Sequence, residues 1–272
     1  MSYDIPIDRW AMALVDFLMD HAQGLFDLIS IALDTLTFGI EDSLLLPPAW
    51  LLIVLLTGLA GWRTNWRFAL FTAAALALIV GMDLWVETVA TLALVIAATL
   101  VSLVMGIPLG IWAARSDPVE RIVRPVLDLM QTMPAFVYLI PAAMFFGLGR
   151  VPGVVATIIF AMPPAVRLTN LGIRQVPKEL VETGLAFGCT SRQLLLKVQL
   201  PTARPSIMAG VNQTIMLALS MVVIASMIGA GGLGDTVLRG IQRLDVGLGF
   251  EGGLGVVILA IILDRITQSF GK

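Results

Sequence analysis

Side chains able to do bond-making chemistry are scarce in this chain of 272 residues, which holds one histidine, His21, and one cysteine, Cys189. A metal site needs several His, Cys or carboxylate ligands, and a nucleophile needs a positioned base; His21 alone supplies neither. It is expected to be solvated or interfacial, with no metal site. Cys189 cannot close an internal disulfide, and it reads as a small, reduced loop residue. Ser and Asp are scattered without a recognisable nucleophile setting. Gly247-x-Gly249-x-x-Gly252 has the spacing of a dinucleotide fingerprint, yet it leads into an apolar run instead of joining a strand to a helix. No segment reads G-x-x-x-x-G-K-[ST], so the chain has no phosphate-cradling loop of its own. Catalysis is not expected here, nor a resident cofactor. If ATP and its Mg drive this protein, a partner chain binds them.

What remains is a mechanical pattern. Glu182-Thr183-Gly184, then Gly188, then Val198-Gln199-Leu200-Pro201, lie between two runs apolar enough to span a membrane. A short helix, a turn permitted by Gly188 and a proline that ends the segment would make a handle by which an outside surface moves the helices within.

The elements carrying that handle follow from composition. Hydrophobic residues make up 58% of the chain and charged ones 13%, with a mean hydropathy of +0.94, against a charged share of about 25% in soluble domains. The fold class is therefore all-α, a polytopic membrane protein in a lipid bilayer. Nothing resembles a basic track for nucleic acid. Seven apolar runs, at 44–62, 66–84, 85–113, 128–148, 151–169, 204–229 and 250–268, are each long enough to cross, with two short neighbours open to a re-entrant reading instead. Residues 1–43 precede them as an extracytoplasmic segment, and 44–272 form the membrane domain with a cytoplasmic loop at 176–203. With that loop inside, alternation places the N-terminus outside and the C-terminus inside. Thirteen Lys and Arg, among them Arg63, Arg67, Arg115, Arg174, Lys178, Arg204, Arg265 and Lys272, then fall inside; Arg9, Arg150, Arg239 and Arg243 fall outside. That asymmetry is what the positive-inside rule requires. The opening residues, with Asp4 and Asp8 beside Arg9, lack the basic start of a cleavable signal.

Other patterns have two readings each. Asp16, Asp20, Gln23, Asp27, Ser30 and Asp34 recur at helical spacing within 10–34, so this helix either lies along the outer surface or braces others. Thr88, Thr91, Thr99, Ser102, Gly106 and Gly110 share one face of the third span, for close helix packing or a pore lining. Pro134, Pro141 and the Pro163-Pro164 pair should kink or hinge their helices. Asn212-Gln213-Thr214 lie roughly 13 Å into the sixth span at about 1.5 Å per residue, where they either bond neighbouring helices or face a water-filled path. No ionisable residue occupies the centre of a span, which argues against an ion-coupled carrier.

The loop resembles the coupling loop of ABC-importer permeases, in which E-A-A is followed after three residues by G and, nine residues later, by I-x-L-P. Glu182, Gly188, Leu200 and Pro201 stand at those positions; Thr183 and Gly184 replace the alanines and Val198 the isoleucine. Thr132–Tyr138, Val151-Pro152-Gly153, Pro163–Thr169, Gly210–Thr214, Ile228–Gly234 and Gly240-Ile241-Gln242 are similar to glycine betaine/proline betaine permeases of bacterial osmoprotectant uptake. The resemblance spans roughly 85–270. It implies a type I importer fold in the bacterial inner membrane, with four kinds of partner: a second copy of the chain, two cytoplasmic P-loop ATPase subunits, an extracytoplasmic substrate-binding protein and the bilayer. It implies an ATPase-coupling set of Pro177, Glu179, Glu182, Thr183, Gly184, Gly188, Ser191, Leu200 and Pro201. For the substrate pathway the candidates are Met133, Phe136, Tyr138, Asn212, Gln213, Thr214 and Ser220, where Phe136 and Tyr138 offer ring faces to a cationic head group or serve packing alone. Choline, trimethylamine N-oxide or another methylated amine is the alternative cargo. A stand-alone secondary carrier, or a purely structural scaffold, is the alternative class.

Overall fold

The computed structural model describes residues 7–271; Asp4 and Lys272, used in the readings above, lie outside the described residues. Among these there are twelve α-helices, α1 (Ile7–Leu45), α2 (Ala49–Arg63), α3 (Trp66–Gly81), α4 (Trp85–Arg115), α5 (Asp117–Thr132), α6 (Ala135–Phe146), α7 (Arg150–Arg174), α8 (Lys178–Ala186), α9 (Ser191–Leu194), α10 (Leu200–Ser226), α11 (Leu233–Arg243) and α12 (Val246–Gly271). Backbone groups cannot be left unpaired in hydrocarbon, and helices satisfy them internally. Four helical stretches are long and apolar enough to cross, namely α4, α7, the continuous Ser191–Ser226 stretch and α12; the count rises to six if two bent pairs each form one span.

Those bent pairs refine the expected spans. Residues 128–148 read as one crossing, but α5 and α6 meet at 100°. Met133 takes an extended conformation before Pro134 (φ −69°, ψ 137°), as the pyrrolidine ring demands of the preceding residue. α5 is amphipathic, with Val123, Leu127 and Met130 packed toward α7 and α4 and Asp117, Glu120 and Asp128 paired with arginines of α7. The sharp bend at Pro134 agrees with the expected kink, whereas α6 continues through Pro141 and α7 through Pro163-Pro164. In α7 that pair is fully buried between neighbours, and tight packing on both sides holds the helix together.

α7 is the spine, with α4 along one side and α10 along another. Small residues make this possible. A methyl group added at Gly110 would lie 2.6 Å from the Val166 carbonyl oxygen, and one at Gly106 would lie 3.1 Å from the Ala165 Cβ. The stripe on α4 is thus a packing face, of the two uses open to it. Thr88, Thr91, Thr99 and Ser102 are buried there as well, and Thr91 Oγ1 accepts a bond from the Leu233 N–H at 2.8 Å. The Gly247/Gly249/Gly252 run opens α12 and lets it close on α11: a methyl on Gly252 would meet the Val237 nitrogen at 3.0 Å.

Helix ends fall into two groups. At one end Arg63 of α2 reaches Ser269 of α12, Arg204 of α10 reaches the Phe270 carbonyl, and Arg174 of α7 reaches the Ala113 carbonyl of α4. At the other, the Gly149 N–H bonds the Ile228 carbonyl at 2.8 Å and Arg150 pairs with the buried Glu41. α1 braces this second end, where Leu33 joins a core of α4, α7 and α10 residues and Phe26 stacks on Phe145 at 4.5 Å. Its acidic residues Asp16, Asp20 and Asp27 stay exposed.

Candidate functional site: a projecting helix and an uncovered stripe

Beyond the Arg174 end of the spine, the chain turns at Val176 and projects α8. Pro177 fills its N-cap (φ −51°, ψ 132°) and its carbonyl accepts from the Leu180 N–H at 3.1 Å. Termination is equally local. Gly188 has φ +77°, its N–H bonds the Leu185 carbonyl at 2.9 Å, and the Cys189 N–H reaches back to the Gly184 carbonyl at 3.0 Å. This pair of bonds is a Schellman closure, which needs a left-handed residue that glycine adopts without a Cβ penalty. Thr190 then caps α9, exchanging bonds with Gln193.

Glu179, Glu182, Thr183, Ser191 and Pro201 are exposed, whereas Gly184 is buried. A methyl on Gly184 would lie 2.8 Å from the Leu194 Cδ1, so the glycine standing where the coupling pattern has alanine lets Leu194 press against the helix backbone. Thr183 returns its hydroxyl to the Glu179 carbonyl at 2.6 Å. α8 is therefore seated on one side by Gly184 and open on the other. Leu180, Leu185 and Phe187 around this helix are all exposed, Phe187 at 86%. A large ring left in the open at a helix end suits insertion into another protein. The sequence reading passed over Phe187; its signal was an aromatic directly before a helix-terminating glycine in an otherwise polar loop.

The root of the projection is held by charge. Arg174 Nη2 lies 2.8 Å from Asp117 Oδ1 and 3.0 Å from Glu120 Oε2, and its Nε donates to Asn170 Oδ1 at 2.9 Å. Arg167 reaches Asp128 and Gln131. Together these bonds tie α5 to the last turns of α7. Between them and α8 opens a cleft of about 430 Å³, lined by Arg115, Arg174, Lys178, Glu182, Ser191 and Gln199 among others. Leu200 packs with Ile173, Leu195 and Ala203 at its base. Pro201 does not end the segment as expected. The helix passes through it by a π-helical turn, Leu195–Gln199, in which the Leu200 N–H bonds the Leu195 carbonyl. Pro201 has no N–H for the Lys197 carbonyl, and a π-bulge is the usual way to absorb such a defect.

The expected pathway residues divide. Gln213 and Ser220 are exposed on α10 along one stripe with Ala209, Met216 and Met227. Phe136 is also exposed, at 53%. Asn212 and Thr214 turn inward instead: Asn212 Nδ2 donates to Asp264 Oδ1 of α12 at 2.8 Å, and Thr214 Oγ1 donates to the Gly210 carbonyl at 3.0 Å. Of the alternatives open for this triplet, Asn212 takes the interhelical bond. Tyr138 is buried, and its hydroxyl donates to the Leu129 and Met130 carbonyls at 3.1 and 2.9 Å, stitching α5 to α6 across the Pro134 break. Met133 packs against the same cluster.

Residues 106–272 match the family described as the binding-protein-dependent transport system inner membrane component. The chain belongs to that family. It is 52% identical over 268 residues to the glycine betaine/proline betaine transport system permease protein ProW of Escherichia coli, covering 98% of this chain and 76% of that protein. It is 53% identical to the glycine betaine/carnitine transport permease protein GbuB of Listeria monocytogenes, covering 98% of this chain and 96% of that protein. Among solved structures, an inward-facing form of the MetNI methionine ABC transporter superposes with a TM-score of 0.61 at 23% identity, over 69% of this chain and 95% of that one. The fold is accordingly that of a type I importer permease. This inner membrane component presents α8 at one end and the Gln213–Ser220 stripe along its flank.

Proposed function

We propose that this chain is the permease subunit of an ATP-driven importer for glycine betaine/proline betaine-type osmolytes. The observation that carries the reading is α8: a short helix, bounded at both ends by its own sequence, seated by Gly184 and leaving Glu182 and Phe187 exposed. Glu179, Glu182 and Thr183 supply polar contacts to a P-loop ATPase, and Gly188 sets the turn. Two copies of the chain, two ATPase subunits and an extracytoplasmic binding protein complete the transporter. The α8 end faces the cytoplasm and the Arg150 end faces outward, in keeping with the distribution of Lys and Arg. ATP closure moves α8, and the charge-tied joint of α5 and α7 passes that motion to the spine. Gln213, Ser220 and Phe136 face the pathway between the two copies. The cargo class rests on relatives more than half identical over almost the whole chain. Lower-identity relatives named for trimethylamine N-oxide and choline transport, at 35% and 31%, make methylated amines the competing cargo.

The test is reconstitution in liposomes, with and without the ATPase and binding protein. ATP-dependent betaine uptake only by the complete set is expected. Uptake by this chain alone on an ion gradient would establish a secondary carrier instead. Glu182→Ala and Gly188→Trp should both lose substrate-stimulated hydrolysis; unchanged hydrolysis in both would refute the coupling role.

A further inference from the structure

We propose that the pocket between the α2–α3 turn and the end of α12 binds the headgroup of an anionic phospholipid. Its volume is about 750 Å³, and it is lined by Arg63, Asn65, Arg67, Arg265, Gln268 and Ser269 among others, with no carboxylate in the lining. The three arginines have different tasks. Arg63 is fixed: its Nη2 donates to the Ser269 carbonyl at 2.9 Å and its guanidinium lies 4.2 Å from the centre of the Phe270 ring, so it closes the end of α12. Arg67 and Arg265 are exposed, and neither has an ion-pair partner among the described residues. The nearest acid in sequence, Asp264, is already bonded to Asn212 and Gln268. α3 begins in the same pocket. Asn65 caps it by accepting from the Phe68 N–H at 2.8 Å, which leaves the first N–H groups of a 16-residue helix without helix partners. Two exposed guanidinium groups without ion-pair partners among the described residues and a helix N-terminus line one basic space.

Two further observations identify the anion as a lipid. Trp62 and Trp66 flank the turn, 80% and 71% exposed, and indoles so placed sit at headgroup depth. An apolar groove of about 350 Å³ also runs from Phe71, which both spaces share, between α3 and α12 along Leu78, Val257 and Ile261. A lipid places its phosphodiester headgroup in the basic pocket and an acyl chain in the groove; a free phosphate occupies only the first. Basic pockets of this kind between helices at the cytoplasmic face are recognised features of lipid-binding proteins. The pocket lies at the α8 end, since Arg204 near the base of α10 bonds the Phe270 carbonyl.

The test uses the full transporter in detergent, titrated with phosphatidylglycerol, phosphatidylcholine or inorganic phosphate. Readouts are the thermal midpoint and the number of lipids retained in native mass spectrometry. Phosphatidylglycerol should raise the midpoint and remain bound, and the other two should not. The Arg67→Gln/Arg265→Gln double variant should lose on the order of 30-fold in phosphatidylglycerol affinity. Ala74→Trp, which fills the groove without touching the arginines, should also lose retention. Arg239→Gln/Arg243→Gln removes as much charge at the opposite end and should leave retention intact. Undiminished retention by the first double variant, or equal stabilisation by phosphatidylcholine or by phosphate, would overturn the proposal.

Discussion

Along α7 the side chains facing α4 and α10 are small and enclosed, whereas along α8 the large side chains Leu180, Leu185 and Phe187 stand in the open. Both regions use glycine, to different ends. Gly106 and Gly110 bring helix backbones together, Gly184 seats α8 on Leu194, and Gly188 ends α8 through its left-handed backbone. The contrast separates two uses of helix surface: a closely packed spine, and a projecting helix through which, in the proposed coupling, motion reaches that spine. The charged joint at Arg174 lies between them.

The contrast breaks most severely at the spine. Gly110→Leu would drive a side chain into the Val166 carbonyl oxygen, 2.6 Å from the first added carbon. A loss on the order of 3 kcal/mol or more is expected, seen as a collapsed thermal midpoint and loss of monodisperse protein. A normal midpoint would mean that α4 and α7 do not need their close approach. Gly184→Leu probes the seat of α8 and should cost about 1 to 3 kcal/mol, partly restored by adding Leu194→Ala. Additive losses in that double-mutant cycle would show the two positions to be independent. Tyr138→Phe removes the hydroxyl that bridges the Pro134 break and should lower stability by about 1 kcal/mol while uptake persists. A larger fall in uptake than in midpoint would give Tyr138 a part in the pathway.

How much was legible in the sequence follows the same division. The helical class follows from period and composition, whereas the small-residue stripe on α4 leaves packing and a pore lining both open until α7 stands against Gly106 and Gly110. The turn that closes α8 was legible because Gly188 acts on neighbours only three to four residues away. Less legible were features that depend on distant partners. α5 was merged into a span because apolar run length cannot register a 100° bend. Asn212 and Gln213, adjacent in sequence, take different faces of α10, and only the position of Asp264 on α12 decides which turns inward. Gly184 appeared as a departure from an alanine pattern until Leu194 was found against it.

The central claim is that the open face of α8 serves a partner and not the fold, and Phe187→Ala in the reconstituted transporter tests it most directly. At 86% exposure Phe187 should leave the thermal midpoint unchanged. ATPase association should weaken by roughly 30-fold, a hot-spot loss of about 2 kcal/mol, and uptake should fall with it. Full association and full uptake in Phe187→Ala would contradict the claim.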